Sequence, residues 1–398
     1  MVTVPIIPTS GHIDVPWAEF SIGSIEHVLK THFVPSLVGR IITDDERSIF
    51  SLPTKYGGLG IPNPVEMTDS EYEASKLITN SLANTINIQS SSFSEVDWEG
   101  MKREKASASV RKKNFHENKL QEIIASNTVT RGMKRALEFA QEKGASLWLN
   151  TQPSQEHGCF LNRQEFKDAL CLRYSWEVKG IPKYCACGTK NSTDHCLTCK
   201  KGGYVSLRHN ALRNTEAALL KEVCHDVKIE PVLMPIEETD DFFQLASTST
   251  EDNARLDISA RGVWSPMDRV FFDIRVTHPN TLSNERKPPI QIYKDNEKEK
   301  KRRYNERIIN VEKATFTPLV FTTSGGMGPE CERLNRRAAE LLAEKRKEKY
   351  SDVIAYIRKR LRFSLLKATL TAIRGYRGHD NRNTGVVTEL SEVAFNLA

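Results

Sequence analysis

The stretch that decides the fold is Arg255–Pro279, RLDISARGVWSPMDRVFFDIRVTHP. Apolar and polar residues alternate on either side of the turn-forming residues Trp264–Asp268, so the stretch predicts an antiparallel β-hairpin. A hairpin centred near Ser265 places Asp257 opposite Asp273. Facing carboxylates repel each other, and this cost is usually tolerated where a cation lies between them. The hairpin therefore predicts a magnesium site, and the alternative is an ordinary sheet with a solvated polar face.

The two strands of this hairpin each have one apolar face, because side chains alternate along a strand. The second strand then carries Asp273 and Arg275 together on the polar face. The residues predicted on the apolar face are Leu256, Ile258, Ala260, Val270, Phe272, Ile274 and Val276.

Composition limits the class of protein. With 398 residues the chain is long enough for two or three domains, and a formal charge of +6 permits nucleic-acid binding without demonstrating it. It contains no run of about eighteen apolar residues, and its first residues lack the basic-then-apolar order of a signal peptide. We therefore expect an intracellular protein without a membrane partner.

Four of the 8 cysteines lie close together beside a histidine, which predicts a metal site in a reducing compartment. Zinc takes four such ligands at the corners of a tetrahedron, and a site closed by four protein ligands has a structural role. Cys196 is an alternative to Cys199 as the fourth ligand, and Asp194 is placed to orient the ring of His195. The predicted zinc ligands are Cys185, Cys187, His195 and Cys199.

The segment Ser206–Val223 follows this cluster and has the apolar spacing of a helix. His209 and Glu216 lie on its apolar stripe, and a carboxylate there costs several kcal/mol unless it is paired or bound to a metal. The segment is therefore either a plain core helix or a helix that contributes to a site.

Two basic segments are candidates for contact with phosphate, since clustered Lys and Arg release counterions from nucleic acid. Met101–Lys113 is either a phosphate-contacting arm or a solvated linker helix. Glu297–Tyr304, EKEKKRRY, predicts a helix. Its basic residues either act at the predicted acidic site, lie on a solvent-exposed helix face or form a nuclear-localisation patch.

The loop Phe50–Pro64, FSLPTKYGGLGIPNP, resembles a phrase found just beyond the polymerase core of non-LTR retrotransposon reverse transcriptases. The polymerase carboxylate motif itself is missing, since Thr43–Asp45 lacks the surrounding hydrophobic hairpin and predicts a helix start instead. This resemblance covers about residues 24–90. The chain thus resembles the part of such a polyprotein that follows its polymerase.

A second resemblance covers about residues 146–345. The Cys-Cys-His-Cys cluster, then Arg208-His209-Asn210, then Arg255-Leu256-Asp257, then Asp273 follow the order of motifs in the restriction-like endonuclease of one branch of these elements. The resemblance implies an α/β (α+β) domain of the PD-(D/E)XK type, in which a helix precedes a hairpin that carries the acids. It also implies zinc in the cluster and Mg²⁺ or Mn²⁺ at the acids.

By this resemblance, Asp257 and Asp273 of this chain would bind the catalytic metal, and Glu216 would be an extra ligand. The resemblance places Arg275 where a lysine is expected, and Lys300 is the first candidate to act in its place. Arginine stays charged at any working pH, so it can stabilise a phosphorane but cannot readily accept a proton. The residues that would contact nucleic acid are Arg208, His209, Lys301, Arg302 and Arg303.

The predicted function is a nuclear, metal-dependent endonuclease that nicks target DNA, whose free 3′-hydroxyl primes reverse transcription of the element's RNA. The alternative is a catalytically silent, zinc-containing module that binds nucleic acid. The predicted organisation is a post-polymerase region (1–95), a basic helical linker (96–145), a helical segment with the zinc knuckle (146–204), the endonuclease (205–375) and a disordered tail (376–398).

Overall fold

The computed structural model describes residues 16–89, 96–236 and 247–377. The chain divides into two compact units. Unit 1 comprises Met1–Pro53 and Gly58–Thr128, and unit 2 comprises Thr54–Gly57 and Val129–Ala398. The division after Thr128 falls inside the range predicted as a linker, and the predicted tail lies outside the described residues from residue 378 onward.

Unit 1 is helical in the part that the structure describes. Thr43 caps its third helix, because the hydroxyl accepts from Glu46 N while the Glu46 carboxylate accepts from Thr43 N. This capping box confirms the predicted helix start at Thr43. The helices are Pro16–Val28 (α1), Val34–Val38 (α2), Asp44–Ser51 (α3), Pro64–Asn87 (α4) and Trp98–Ala125 (α5), with a π-helical turn at Leu29–Phe33.

The second glycine of the GGLGI phrase, Gly58 in unit 1, allows the chain to turn back closely on itself. A Cβ on Gly58 would lie 1.8 Å from the main-chain oxygen of Leu52, so no other residue fits there without movement. The turn is closed by hydrogen bonds from Leu59 N and Ile61 N to Phe50 O.

Unit 2 contains a four-stranded sheet with the order β1-β2-β3-β4. The first three strands are antiparallel neighbours, whereas β3 and β4 are parallel and are connected by a long helix. The strands are His225–Ile229 (β1), Ile258–Arg261 (β2), Arg269–Thr277 (β3) and Thr315–Thr322 (β4). The helices are Arg131–Ala140 (α6), Leu147–Asn150 (α7), Arg163–Tyr174 (α8), Thr193–Thr198 (α9), Tyr204–Lys221 (α10), Pro289–Asn310 (α11), Pro329–Arg346 (α12) and Tyr350–Arg374 (α13).

The hairpin has the predicted register. Ile258 pairs with Phe272 and Arg261 with Arg269, so the next positions along the ladder, Asp257 and Asp273, face each other. The main-chain N–H of Asp257 donates to Phe272 O at 3.1 Å. The pattern of alternating residues was therefore sufficient to predict which positions meet.

Both faces of β3 are buried. Phe272 and Ile274 pack with Ile258 into the main core under α10, α12 and α13, whereas Phe271 packs on the opposite face. The second cluster consists of Leu233, Ala254, Leu256, Phe271, Tyr304, Ile308 and Phe316. Leu256 thus lies in the second cluster and not with Ile258 and Ala260, so its predicted face was wrong.

The solvated polar face of the hairpin is likewise excluded, because α11 covers it and Asp273 is only 7% exposed. Burial of both faces is usual where a helix crosses over a parallel pair of strands. The helices α12 and α13 cover the other face. Within the described ranges, no helix combines the length and the apolar character needed to cross a bilayer.

Candidate active site and metal centre

The two aspartates of the hairpin are neighbours. Asp257 Oδ2 accepts a hydrogen bond from the main chain of Ile274, the residue after Asp273, at 2.5 Å. Burial raises the pKa of Asp273 above its ordinary value, and the negative charge of Asp257 raises it further, whereas Lys300 opposes the shift. The structure therefore brings together the two carboxylates that the sequence placed opposite each other.

His209 of α10 reaches this pair. Its Nε2 lies 3.2 Å from Asp257 Oδ2 and 3.1 Å from Ile274 O, while its Nδ1 lies 3.3 Å from Asn210 Oδ1. Burial lowers the pKa of His209, but the hydrogen bond and the charge of Asp257 outweigh burial and raise it overall. Because oxygen acceptors surround both ring nitrogens, the ring is suited to carry a positive charge beside Asp257.

Lys300 of α11 contacts the other aspartate, with Nζ at 2.6 Å from Asp273 Oδ2. The sequence spacing explains this contact. Tyr304, one helical turn after Lys300, packs in the same cluster as Phe271, which lies two residues before Asp273 on the same face of β3. The packing of Tyr304 in this cluster therefore places Lys300 beside Asp273, and the contact is an ion pair between groups that are both shielded from water.

Arg275 points away from this pair toward solvent. Its Nη1 donates to Glu299 Oε2 at 2.8 Å, and both side chains are more than a third exposed. The structure thus brings Lys300, and not Arg275, into contact with an aspartate.

Glu216 is buried inside α10 and does not join the aspartates. Its closest partner is the thiol of Cys331, which donates to Oε1 at a long 4.0 Å. Burial raises the pKa of Glu216 to about 8, so this carboxyl is neutral at pH 7. Glu216 thus lies in the core beside a thiol, and the structure does not bring it to the two aspartates that were predicted to bind Mg²⁺.

The residues predicted to contact nucleic acid differ in their accessibility. Arg208 is only 2% exposed and donates to the main-chain oxygen of Leu197, so its predicted role as a phosphate contact is incompatible with its burial. Lys301 pairs with Glu330, and Arg303 lies 3.8 Å from Glu251. Arg302 is exposed, and within the described residues it has no ion pair.

The Cys/His cluster forms a compact group of four ligands. Cys185 Sγ lies 3.8 Å from Cys199 Sγ, Cys187 Sγ lies 3.3 Å from His195 Nε2, and all four ligand atoms lie within 4.8 Å of one another. Ligands about 2.3 Å from a tetrahedral ion are roughly 3.8 Å apart, so the cluster could hold a metal such as zinc. Hydrogen bonding by Thr189 lowers the pKa of Cys187 to about 6, which favours the thiolate that binds metal.

Local structure explains why these four side chains converge. Gly188 has a φ of +87°, which lets the chain turn between the Cys pair and Thr189, whose oxygen accepts from Cys185 N. Ser192 then caps α9 by accepting from His195 N, and α9 presents His195 and Cys199 one turn apart.

Two predicted details of the cluster are settled by the structure. Cys196 is fully buried and donates to Asn191 Oδ1, so Cys199 and not Cys196 belongs to the group of four. Asp194 does not orient the His195 ring. Its Oδ1 lies 2.8 Å from Nε2 of His278, a residue that the sequence analysis did not single out. The one sequence feature that could have indicated this contact is that His278 directly follows a buried strand. Its partner Asp194 lies 84 positions away, so local spacing could not predict the pair.

A scan against protein-family models and a search among curated proteins produced no match to this chain.

Substitution of the two neighbouring cysteines distinguishes a ligand from a core residue. We expect Cys199→Ser to lose bound zinc and several kcal/mol of stability, because metal binding at such sites contributes on the order of 10 kcal/mol to folding. Cys196→Ser should retain one zinc per chain and cost only about 1–3 kcal/mol, from burying a hydroxyl. Zinc content of the purified proteins and thermal melting provide the two measurements. If Cys196→Ser loses zinc and Cys199→Ser keeps it, Cys199 is not the fourth ligand.

Proposed function

We propose that unit 2 is a metal-dependent nuclease that hydrolyses phosphodiester bonds of DNA. The observation that carries this proposal is the pair of shielded carboxylates, Asp257 and Asp273, on facing strands, with an ammonium group from α11 at 2.6 Å from one of them. Shielded acids with a perturbed pKa and a cationic partner are typical of functional sites.

The oxygen atoms at this site fit a hard divalent cation such as Mg²⁺ or Mn²⁺. Asp257 Oδ2 is engaged by Ile274 N and His209, and Asp273 Oδ2 by Lys300, but the Oδ1 atom of each aspartate has no donor among the described residues. Carboxylate oxygens are the ligands that these cations prefer. A bound cation would lower the pKa of water and neutralise charge on the phosphate.

The other side chains of the site have separate roles in this proposal. Lys300 places a positive charge where the pentavalent phosphate gains negative charge, and its ammonium can also hold or release a proton. His209 holds the carboxylate of Asp257 through Oδ2, so Oδ1 would be the oxygen that binds a cation. Arg275 pairs with Glu299 at the surface and lies outside this group of side chains.

The order of elements adds support. The chain runs α10, β1, β2, β3, α11, β4, so a helix precedes an antiparallel hairpin that carries both acids, as in the PD-(D/E)XK nucleases. The motif order resembles that of the restriction-like endonuclease of non-LTR retrotransposons, and on this basis we propose target-DNA nicking in the nucleus, with zinc in the Cys/His cluster. The nick would prime reverse transcription of the element's RNA.

The test is nicking of supercoiled plasmid by the purified chain in the presence of Mg²⁺ or Mn²⁺, with Asp273→Ala as the comparison. We expect metal-dependent conversion to the open circle by the native chain and a loss on the order of a hundredfold or more in the variant. If both proteins bind DNA equally and neither nicks it, the chain is the catalytically silent nucleic-acid-binding module instead.

A further inference from the structure

Asp194 lies between the Cys/His cluster and the sheet. It is in the first turn of α9, directly before the predicted ligand His195. Its Oδ1 lies 2.8 Å from His278 Nε2 and accepts from Asn280 Nδ2 at 3.2 Å, and both partners follow β3. One carboxylate oxygen thus joins the metal centre to the segment that leaves the strand of Asp273.

His278 extends this connection to the neighbouring strand. The ring is only 7% exposed, and its Nδ1 lies 2.7 Å from Thr323 Oγ1, directly after β4. The main chains meet at the same place, because Thr323 N donates to Thr277 O at 3.0 Å. Both ring nitrogens of a buried histidine are therefore satisfied, one of them by a residue adjacent to the metal ligands.

A second connection runs through α10. Arg208, buried in the core, donates from Nη2 to the main-chain oxygen of Leu197 in α9. The next residue is His209, which contacts Asp257. The two aspartates are thus each connected to α9, Asp273 through the end of β3 and Asp257 through α10.

The helix α9 spans only Thr193–Thr198. So short a helix has little stability of its own, and its position depends on the ligands at its two ends, His195 and Cys199. When these ligands are held by a metal, Asp194 and Leu197 are held with them. When they are released, His278 loses the acceptor Asp194 and Arg208 loses the main-chain oxygen of Leu197.

We propose that Asp194 and His278 are positioning residues that couple metal occupancy of the Cys/His cluster to the aspartate site. The cluster then acts on the reaction without touching the substrate. The coupling itself follows from the contacts described above, whereas its consequence for phosphodiester hydrolysis rests on the proposed nuclease function.

The test compares three full-length, zinc-loaded proteins. They are the native chain, the variant Asp194→Ala and the control variant Asp268→Ala. Asp268 is an exposed aspartate at the opposite end of β3, and its side chain has no hydrogen bond or ion pair among the described residues. Zinc content is measured first, and amide hydrogen exchange is then compared for residues 274–284 and 320–325.

We expect all three proteins to carry one zinc per chain. Exchange in the two segments should be faster in Asp194→Ala than in the native chain and unchanged in Asp268→Ala. Nicking should fall about 10–100-fold in Asp194→Ala, the usual range for residues that support a metal site from outside its ligands. Thr323→Val, which removes the hydroxyl partner of His278, should accelerate exchange in the same two segments.

Unchanged exchange in zinc-loaded Asp194→Ala would overturn the proposal, and so would equal acceleration over the whole of unit 2, since the contact would then merely stabilise the fold. These results are distinct from failure of the nuclease proposal, which would appear as absence of nicking in the native chain. Exchange and zinc content remain informative in that case.

Discussion

Replacement of Lys300 by methionine is expected to reduce metal-dependent nicking by about 10²–10³-fold, the cost of removing one well-placed group that stabilises transition-state charge. Replacement of Arg275 by methionine should change the rate by only about threefold or less, because it removes an exposed ion pair with Glu299. The physical reason is position, since Lys300 Nζ lies 2.6 Å from Asp273 and Arg275 is directed to solvent.

Stability provides an independent measurement for the same variant. Removing Lys300 leaves two shielded carboxylates without one of their cations, so Lys300→Met should lower the melting temperature of the metal-free chain. Mn²⁺ should raise the melting temperature more in Lys300→Met than in the native chain, because the added ion replaces the missing positive charge. Lys300→Arg keeps the charge and should melt closer to the native chain. A large loss of nicking in Arg275→Met with none in Lys300→Met would reverse the assignment of the two residues.

The second large effect concerns Glu216, whose pKa burial raises from 4.5 to about 8. Between these pH values the folded chain keeps a proton on Glu216 and the unfolded chain releases it. The free energy of unfolding therefore falls as pH rises, by about 1.4 kcal/mol per pH unit within this window. Glu216→Gln removes the effect, so the variant should be more stable than the native chain by roughly 4 kcal/mol at pH 8 and by about 1 kcal/mol or less at pH 5.

Urea unfolding of both proteins at pH 5 and pH 8 tests this prediction, and comparison at each pH cancels contributions from other titrating groups. Glu340→Gln is the matched control, because Glu340 lies exposed in α12 and pairs with Arg337 at the surface. Its effect should stay within about 1 kcal/mol at both pH values. Nicking by Glu216→Gln should equal that of the native chain, and its loss would instead make Glu216 a metal ligand.

Much of unit 2 could be predicted from local sequence. The alternation in the Arg255–Pro279 stretch predicted the hairpin and its register, and the Cys and His spacing predicted the four converging ligands. The predicted helix start at Thr43 was confirmed by a capping box. These features depend on neighbours a few residues apart, where backbone geometry limits the options.

Other features depended on packing between distant segments. The sequence placed Leu256 with Ile258, but α11 provides a second apolar surface on the far side of the sheet, and Leu256 packs there. Arg208 was predicted at a nucleic-acid surface, yet its guanidinium is enclosed where α9 meets α10. The hydrophobic pattern of one segment cannot show which of its polar residues another segment will cover.

The sequence by itself determined that Asp257 and Asp273 face each other, because a strand has a period of two and a short turn leaves one register. It also determined three members of the Cys/His cluster, Cys185, Cys187 and His195, through short-range spacing, and it left the fourth between Cys196 and Cys199. Only the tertiary structure decided that Lys300 and not Arg275 meets Asp273, and that Asp194 contacts His278. These contacts join residues 27 and 84 positions apart, and their distances are set by how α11 packs on the sheet and how α9 packs on α10 and α13.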